Sequence, residues 1–203
     1  MTITMILMPF ISTDDLSALT GTTVDGADLI TDMALDAACT SVRSYLQQEV
    51  NYRADATEEL DGRGLVTLRL RERPIRSVAS VTVDGVALET TGWNLRGNLL
   101  RRIDGGVFTL GIANVVVVYS HGWDISDPVT LPVPADIRLV ALIAARRVYS
   151  AVGATDASGT EQSETMGSYS YTAATSAQVA STAAQLLGPE MAVLDRYRVG
   201  LIP

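Results

Sequence analysis

This chain of 203 residues has no lysine, one cysteine, one histidine and few aromatic side chains. Each shortage removes a class of function. A lone Cys39 cannot close an intrachain disulfide, which fits a reducing compartment or indifference to redox. One histidine beside one cysteine does not supply the several spaced ligands that a metal site needs. The net charge of −8 argues against a general nucleic-acid binder, because phosphate binding needs clustered cations. The opening MTITMILMPFIS is apolar for only about ten residues, too short to span a bilayer. It also lacks a basic leader region and a small-residue cleavage site. These features predict a soluble product of the cytoplasm with no membrane partner.

All fifteen basic residues are arginine, whose forked donors suit interfaces. The length suits one domain, or one domain carrying a smaller insert, with roughly 70% of the extended surface buried. ISTDDLSALTG carries a helix-start signature, with Ser12 as cap, Asp15 three residues on and Gly21 as stop. VDGADLITDMALDAACTSVRSYLQQEV predicts a long helix. Ile30, Met33, Ala34, Ala37, Ala38, Ser41, Val42, Tyr45 and Leu46 form its apolar stripe. Asp28, Asp32, Asp36, Thr40, Arg43 and Gln47 fall on the other side.

From about Leu60 the period drops to two. GLVTLRLR points Val66, Leu68 and Leu70 one way and Thr67, Arg69 and Arg71 the other. SVASVTVDGVALE predicts a hairpin turning at Asp84-Gly85. WNLRGNLLRRIDGGVFTL adds two short strands with glycine turns, and NVVVVYSHGW is a strand apolar enough for burial on both faces. Prolines 128, 132 and 134 close this region, and a helix follows over about 135–151. Ile137, Val140, Ala141, Ala144 and Val148 form one stripe of it. Leu139, Leu142, Ile143 and Ala145 make the rest of the middle apolar as well, and a helix apolar nearly all round needs cover on every side, from the chain itself or from partner subunits.

Residues 153–176 are rich in Gly, Ser, Thr and Ala, lack periodicity, and read as a long adaptable loop. Pro189 then opens a last helix bearing Met191, Leu194 and Tyr197 or Arg198. The fold class is therefore α+β: a small helical bundle with an inserted antiparallel sheet and a C-terminal helix after a long loop. The expected parts are 1–59 (bundle helices), 60–125 (sheet), 126–152 (bundle helix), 153–178 (flexible interaction loop) and 179–203 (C-terminal helix and tail).

Chemistry is sparse. Ser120, His121 and Asp124 lie within five residues, but neighbours at a strand end seldom converge as a triad. GGVFTLG is not a phosphate-cradling motif, since a strand rather than a helix follows it. Asp28, Asp32 and Asp36 could hold a cation but fit a solvated face better. Arg69 and Arg71, with Arg63, Arg73 and Arg76 nearby, lack the interleaved aromatics of single-strand binders. They read as a solvated or subunit-facing stripe. Cys39 reads as a helical filler with an unactivated thiol. No catalytic, metal-binding or cofactor-binding residue is assigned, and no enzyme activity is expected.

The order of elements and their local motifs resembles the head-to-tail adaptor proteins of tailed bacteriophages, also called head-completion or connector proteins. The resemblance covers about 12–198. It is carried by ISTDDLSALTG with DGADLITDMALDAACTSVRSYL, by RPIRSVASVTVDGVAL, by VVVVYSHGW with VPADIRLVALIAARRVY, and by SETMGSYSYT with LLGPEMAVLDRYR. The family departs from this chain in its first ten residues and in the length of 153–176.

The resemblance implies a virion structural protein of the neck, made in the host cytoplasm. It implies a ring beneath the portal, dodecameric to match it, that extends the DNA channel and carries the next neck or tail protein. The implied partners are the portal protein, a stopper or tail-completion protein, further copies of this chain, and double-stranded DNA that passes without specific binding. Met166, Tyr169 and Tyr171 in the loop, with Arg196, Tyr197 and Arg198 in the last helix, are the implied contacts to portal or neighbouring subunit. Three rival readings remain: another neck protein (stopper or tail-completion), a monomeric β-sandwich module binding a ligand or host surface, and a hydrolase using His121.

Overall fold

The computed structural model describes residues 9–198, apart from 27, 125–126, 128, 131, 158–162, 167–168 and 173–181. Side chains are described as far as 153 and again from 182. The fold is α+β. Its contacts divide it into a helical unit, Met1–Gln47 with Val133–Arg198, and a sheet unit centred on Gln48–Pro132.

In the helical unit, α1 (Thr13–Thr20) starts as the sequence predicts: Ser12 Oγ accepts from Asp15 N, and the Asp15 side chain accepts from Ser12 N. Helix α2 (Leu29–Leu46) is capped by Asp28, which accepts from Ile30 N at 3.2 Å. Its buried stripe is turned relative to the expected one. Thr31, Ala34, Leu35, Ala38, Cys39, Val42, Arg43 and Leu46 face inward, whereas Met33 is exposed. The reason is tertiary. Phe10 and Ile11, from the apolar opening segment, are themselves buried in this unit, and Arg43 lays its guanidinium over the Phe10 ring at 5.3 Å.

Helix α3 (Ala135–Ala157) continues past the expected end near 151, through a stretch read as loop from its small residues. Ala151, Val152 and Ala154 are compatible with helix, and Val152 is buried against Ala34, Val148 and Ala184. The stripe Ile137, Val140, Ala141, Ala144 and Val148 is buried as expected. A last helix, α4 (Gly188–Leu194), buries Leu194 and Glu190.

The sheet unit opens with β1 (Arg53–Gly62), ahead of the expected start at Leu60. Its residues are charged and mostly exposed, so the apolar alternation that marks other strands is faint there. The remaining strands are β2 (Thr67–Arg69), β3 (Ile75–Val83), β4 (Val86–Ala87), β5 (Trp93–Arg96), β6 (Leu99–Arg102) and β7 (Gly111–His121). They form an antiparallel sheet ordered β1-β7-β3-β4 and a second ordered β2-β6-β5. The β3–β4 hairpin turns at Asp84 and Gly85, with φ of 51° and 78°, the positive pair expected of a two-residue turn.

Central β7 is not buried alike on both faces. Val115, Val117 and Tyr119 join a core with Leu68, Leu70, Val81, Leu100 and Phe108, while Val116 and Val118 are half-buried. A sheet with β1 and β3 on either side of β7 covers one face fully, and the period of two returns. Val66, expected inward with Leu68 and Leu70, is exposed, because β2 begins only at Thr67.

Within the stretch read as a flexible loop, β8 (Ser163–Met166) and β9 (Tyr169–Thr172) pair antiparallel, with Met166 opposite Tyr169. Tyrosine and threonine on alternate positions favour extended backbone, a preference masked in the sequence by the surrounding small residues.

Candidate functional site

The residues implied as contacts fall in two places. Met166, Tyr169 and Tyr171 sit on the β8–β9 hairpin, and their side chains lie outside the described residues. Arg196, Tyr197 and Arg198 follow α4 and have partners within the helical unit. Tyr197 donates its hydroxyl to Asp136 at 2.9 Å, and Arg196 pairs with the same carboxylate at 3.2 Å. Arg198 lies over the Tyr45 ring at 5.0 Å, and Tyr45 in turn donates to Asp195. Arg147 of α3 forks onto Glu190 and also donates to the carbonyls of Ala183 and Gln185. The last helix is therefore tied to α3 by charge-assisted bonds as well as by Leu194.

Among the described residues, two short apolar stripes stay exposed on the helical unit. On α3, Leu139 and Ile143 are 51% and 37% exposed, one turn apart. On α2, Leu29 and Met33 repeat the pattern at 70% and 39%. Ile143 also lines a shallow groove with Leu19, Arg146, Ser150, Ala151 and Ala183. The over-apolar character of α3 read from the sequence is thus met in part by its own chain, while Leu139 and Ile143 stay partly exposed among the described residues.

The sheet unit holds a polar pocket of about 300 Å³. On β7, Val115, Val117, Tyr119 and His121 share one face; the apolar core ends at Tyr119, and the pocket begins there. Ala56 and Glu58 on β1 share that face, and Glu49 and Glu72 come from the segments beside the strand ends. The Tyr119 hydroxyl donates to Glu58 at 2.7 Å, and Glu72 accepts from Glu49 N at 2.8 Å. Four carboxylates (Glu49, Asp55, Glu58, Glu72) face two guanidiniums (Arg53, Arg71) around the rim.

Burial pushes the Glu72 carboxyl above its ordinary range, and the charges of Glu49 and Glu58 push the same way against the hydrogen bond from Glu49 N. Burial, with the charge of Arg53, pulls His121 down to about 4, so its ring is neutral near pH 7. Burial and the bond to Glu58 raise Tyr119, which stays a phenol.

Gly122 shapes this end of the sheet. Its φ is +91°, and a Cβ there would meet the Asn51 carbonyl oxygen at 2.3 Å. That close approach lets Trp123 N reach the Val50 carbonyl and Tyr52 N the Trp123 carbonyl, fixing the segment that carries Glu49.

The three polar neighbours at this strand end do not assemble as a triad. Ser120 turns to the opposite face and bonds Ser77 at 2.7 Å, away from His121. Arg69 is exposed on β2, whereas Arg71 lies beyond the strand and lines the pocket, so the two do not form one stripe. Asp28 serves as the α2 cap while Asp32 and Asp36 are exposed. Among the described residues no group of three or more His, Cys, Asp or Glu could hold a metal ion, and no helix is long and apolar enough to cross a membrane. Cys39 is fully buried and its thiol is pushed up to about 11 by that burial.

The sequence reading passed over Glu58 and the inward role of Glu72. The available signal was Glu58 between Ala56 and Leu60, an acid on the inward alternation of a strand.

No family model and no curated protein matches the chain. Solved structures that share its fold include two from gene transfer agent particles. One is a chain of the virion of a native gene transfer agent particle, 15% identical, covering 100% of this chain and 95% of that one at a TM-score of 0.57. The other comes from the neck of an empty gene transfer agent particle computed with C6 symmetry, 14% identical, with the same coverage at 0.55.

Proposed function

We propose that this chain is a structural protein of the neck of a phage-like particle, acting as a head-to-tail adaptor in a ring beneath the portal. The observation that carries the reading is end-to-end likeness of fold to a chain from a particle neck, with one sheet unit inserted in one helical unit. The uncovered stripes on α2 and α3 support it. A closed ring joins two different faces of each copy, and Leu29–Met33 and Leu139–Ile143 offer apolar patches on two different helices. The role is structural rather than catalytic.

In this reading the portal and a stopper or tail-completion protein bind the ends of the ring. The β8–β9 hairpin, with Met166, Tyr169 and Tyr171, meets the portal or the next copy. The acidic chain lets double-stranded DNA pass without gripping its phosphates. The test is cryo-microscopy of purified particles. A ring of this chain between portal and tail is the expected density; mature particles lacking it at the neck refute the assignment, and density lower in the neck favours a stopper or tail-completion role.

A further inference from the structure

We infer that the pocket between Glu58, Glu72 and His121 is a binding site for a guanidinium group. This inference stands apart from the neck assignment, because it rests on the sheet unit alone.

The pocket walls carry two more carboxylates than guanidiniums; Glu72 is desolvated by burial, and Glu49 and Glu58 are half-buried. Such a surface favours a cation that restores what burial removed. A second feature points to the same ligand independently. His121 is 1% exposed, lines the pocket, and its Nδ1 has no hydrogen-bond partner among the described residues. A buried ring nitrogen left unpaired is costly, and a donor that reaches it through the pocket removes that cost.

Size and shape narrow the class. The volume of about 300 Å³ equals about ten waters at about 30 Å³ each, enough for a planar guanidinium and its methylene stem. A guanidinium spreads five donors in a rigid fork, so it can serve Glu58, Glu72 and His121 Nδ1 together, where an ammonium is a point charge. The Tyr119 and His121 rings, 5.5 Å apart, offer an aromatic flank on which such a plane can lie. An anion is disfavoured by Glu58 and Glu72, despite Arg53 and Arg71 at the rim.

The group has two possible sources, a free guanidino compound or an arginine of another copy. The second source has a ready donor. Arg69, Arg96 and Arg101 are exposed on one face of the β2-β6-β5 sheet, where Arg69 and Arg96 flank Leu99 and Arg101 stands beside Thr67. None of the three has an ion-pair partner among the described residues.

The experiment is a nuclear magnetic resonance titration of the full chain with argininamide, following the His121 ring and the amides of Glu49, Glu58 and Glu72. A saturable shift is expected, absent with neutral citrullinamide and with inorganic phosphate. E72Q and E58Q, each nearly isosteric and checked for native circular dichroism, should each weaken binding about tenfold, the worth of one charge-assisted bond. If E72Q does not fold, E58Q carries the test. No saturable shift, an equal response to citrullinamide, or a response to phosphate instead overturns the inference. Sedimentation of an R69E/R96E/R101E variant separates the sources. Self-association of the wild type that the variant loses assigns the group to a neighbouring copy; argininamide binding with no self-association in the wild type, or with self-association equal in both, assigns it to a free guanidino compound.

Discussion

Replacing Leu139 and Ile143 together by glutamine separates folding from assembly. Both positions lie on α3 with part of the side chain already packed, 51% and 37% remaining exposed. Glutamine is a good helix former, and its methylenes can keep the inner contacts while the amide points outward. The isolated chain should therefore lose less than about 1 kcal/mol of stability. Assembly should suffer more.

Fully burying a leucine or isoleucine is worth about 1.5–3 kcal/mol, so covering the exposed part of these two amounts to roughly 2 kcal/mol per contact. Losing it weakens each contact about thirtyfold, before counting the cost of burying two amides without partners. Thermal unfolding measures the first quantity. The amount of the variant retained in purified particles, by quantitative mass spectrometry against a co-expressed wild type, measures the second. Full incorporation at wild-type level would refute the reasoning that this stripe is covered by a neighbouring copy. A collapse of the melting temperature would instead show that the stripe belongs to the chain's own core.

Three further outcomes are expected. Gly122→Ala puts a methyl group against the Asn51 carbonyl at a positive φ, so unfolding by urea should show a loss of about 2 kcal/mol or more, and wild-type stability would contradict the close approach. Arg147→Ala leaves Glu190 buried without its fork; hydrogen exchange over 183–198 should rise steeply, with a stability loss of about 3 kcal/mol, and unchanged protection there would count against the tie between α3 and α4. His121 has a folded pKa of about 4, below its ordinary 6.5, so the unfolded chain takes up its proton first. Its stabilising share is complete above pH 6.5 and is lost as the pH falls towards 4, at up to about 1.4 kcal/mol per unit. Glu72, whose folded pKa is raised, works in the opposite sense, its own share being lost as the pH rises through that folded value. His121→Gln should flatten the slope between pH 6.5 and 5 in urea titrations, and an unaltered slope would show that another group governs it.

The local signals in the chain were reliable where one segment sets its own geometry. The Ser12–Asp15 capping box, the Asp84-Gly85 turn and the buried stripe of α3 each depend on residues a few positions apart, and each formed as read. The α+β order of helices around an inserted sheet followed from the change of hydrophobic period. Signals failed where a distant segment decides. Arg43 is buried because Phe10 comes to lie beneath it, and β1 forms because β7 supplies a partner for a polar strand.

What the sequence determined alone was the class of fold and the stock of reactive groups: one histidine, one cysteine and a net acidic chain. What only the tertiary structure decided was which side chains meet. Glu49, Glu58, Glu72 and His121 are spread over 73 residue numbers, with no shared period or motif, and register and strand order alone place them around one pocket. Likewise, helical spacing made the middle of α3 apolar nearly all round, but which of its faces stays open depends on where α1, α2 and α4 pack. Periodicity is a property of neighbours along the chain; burial is a property of neighbours in space.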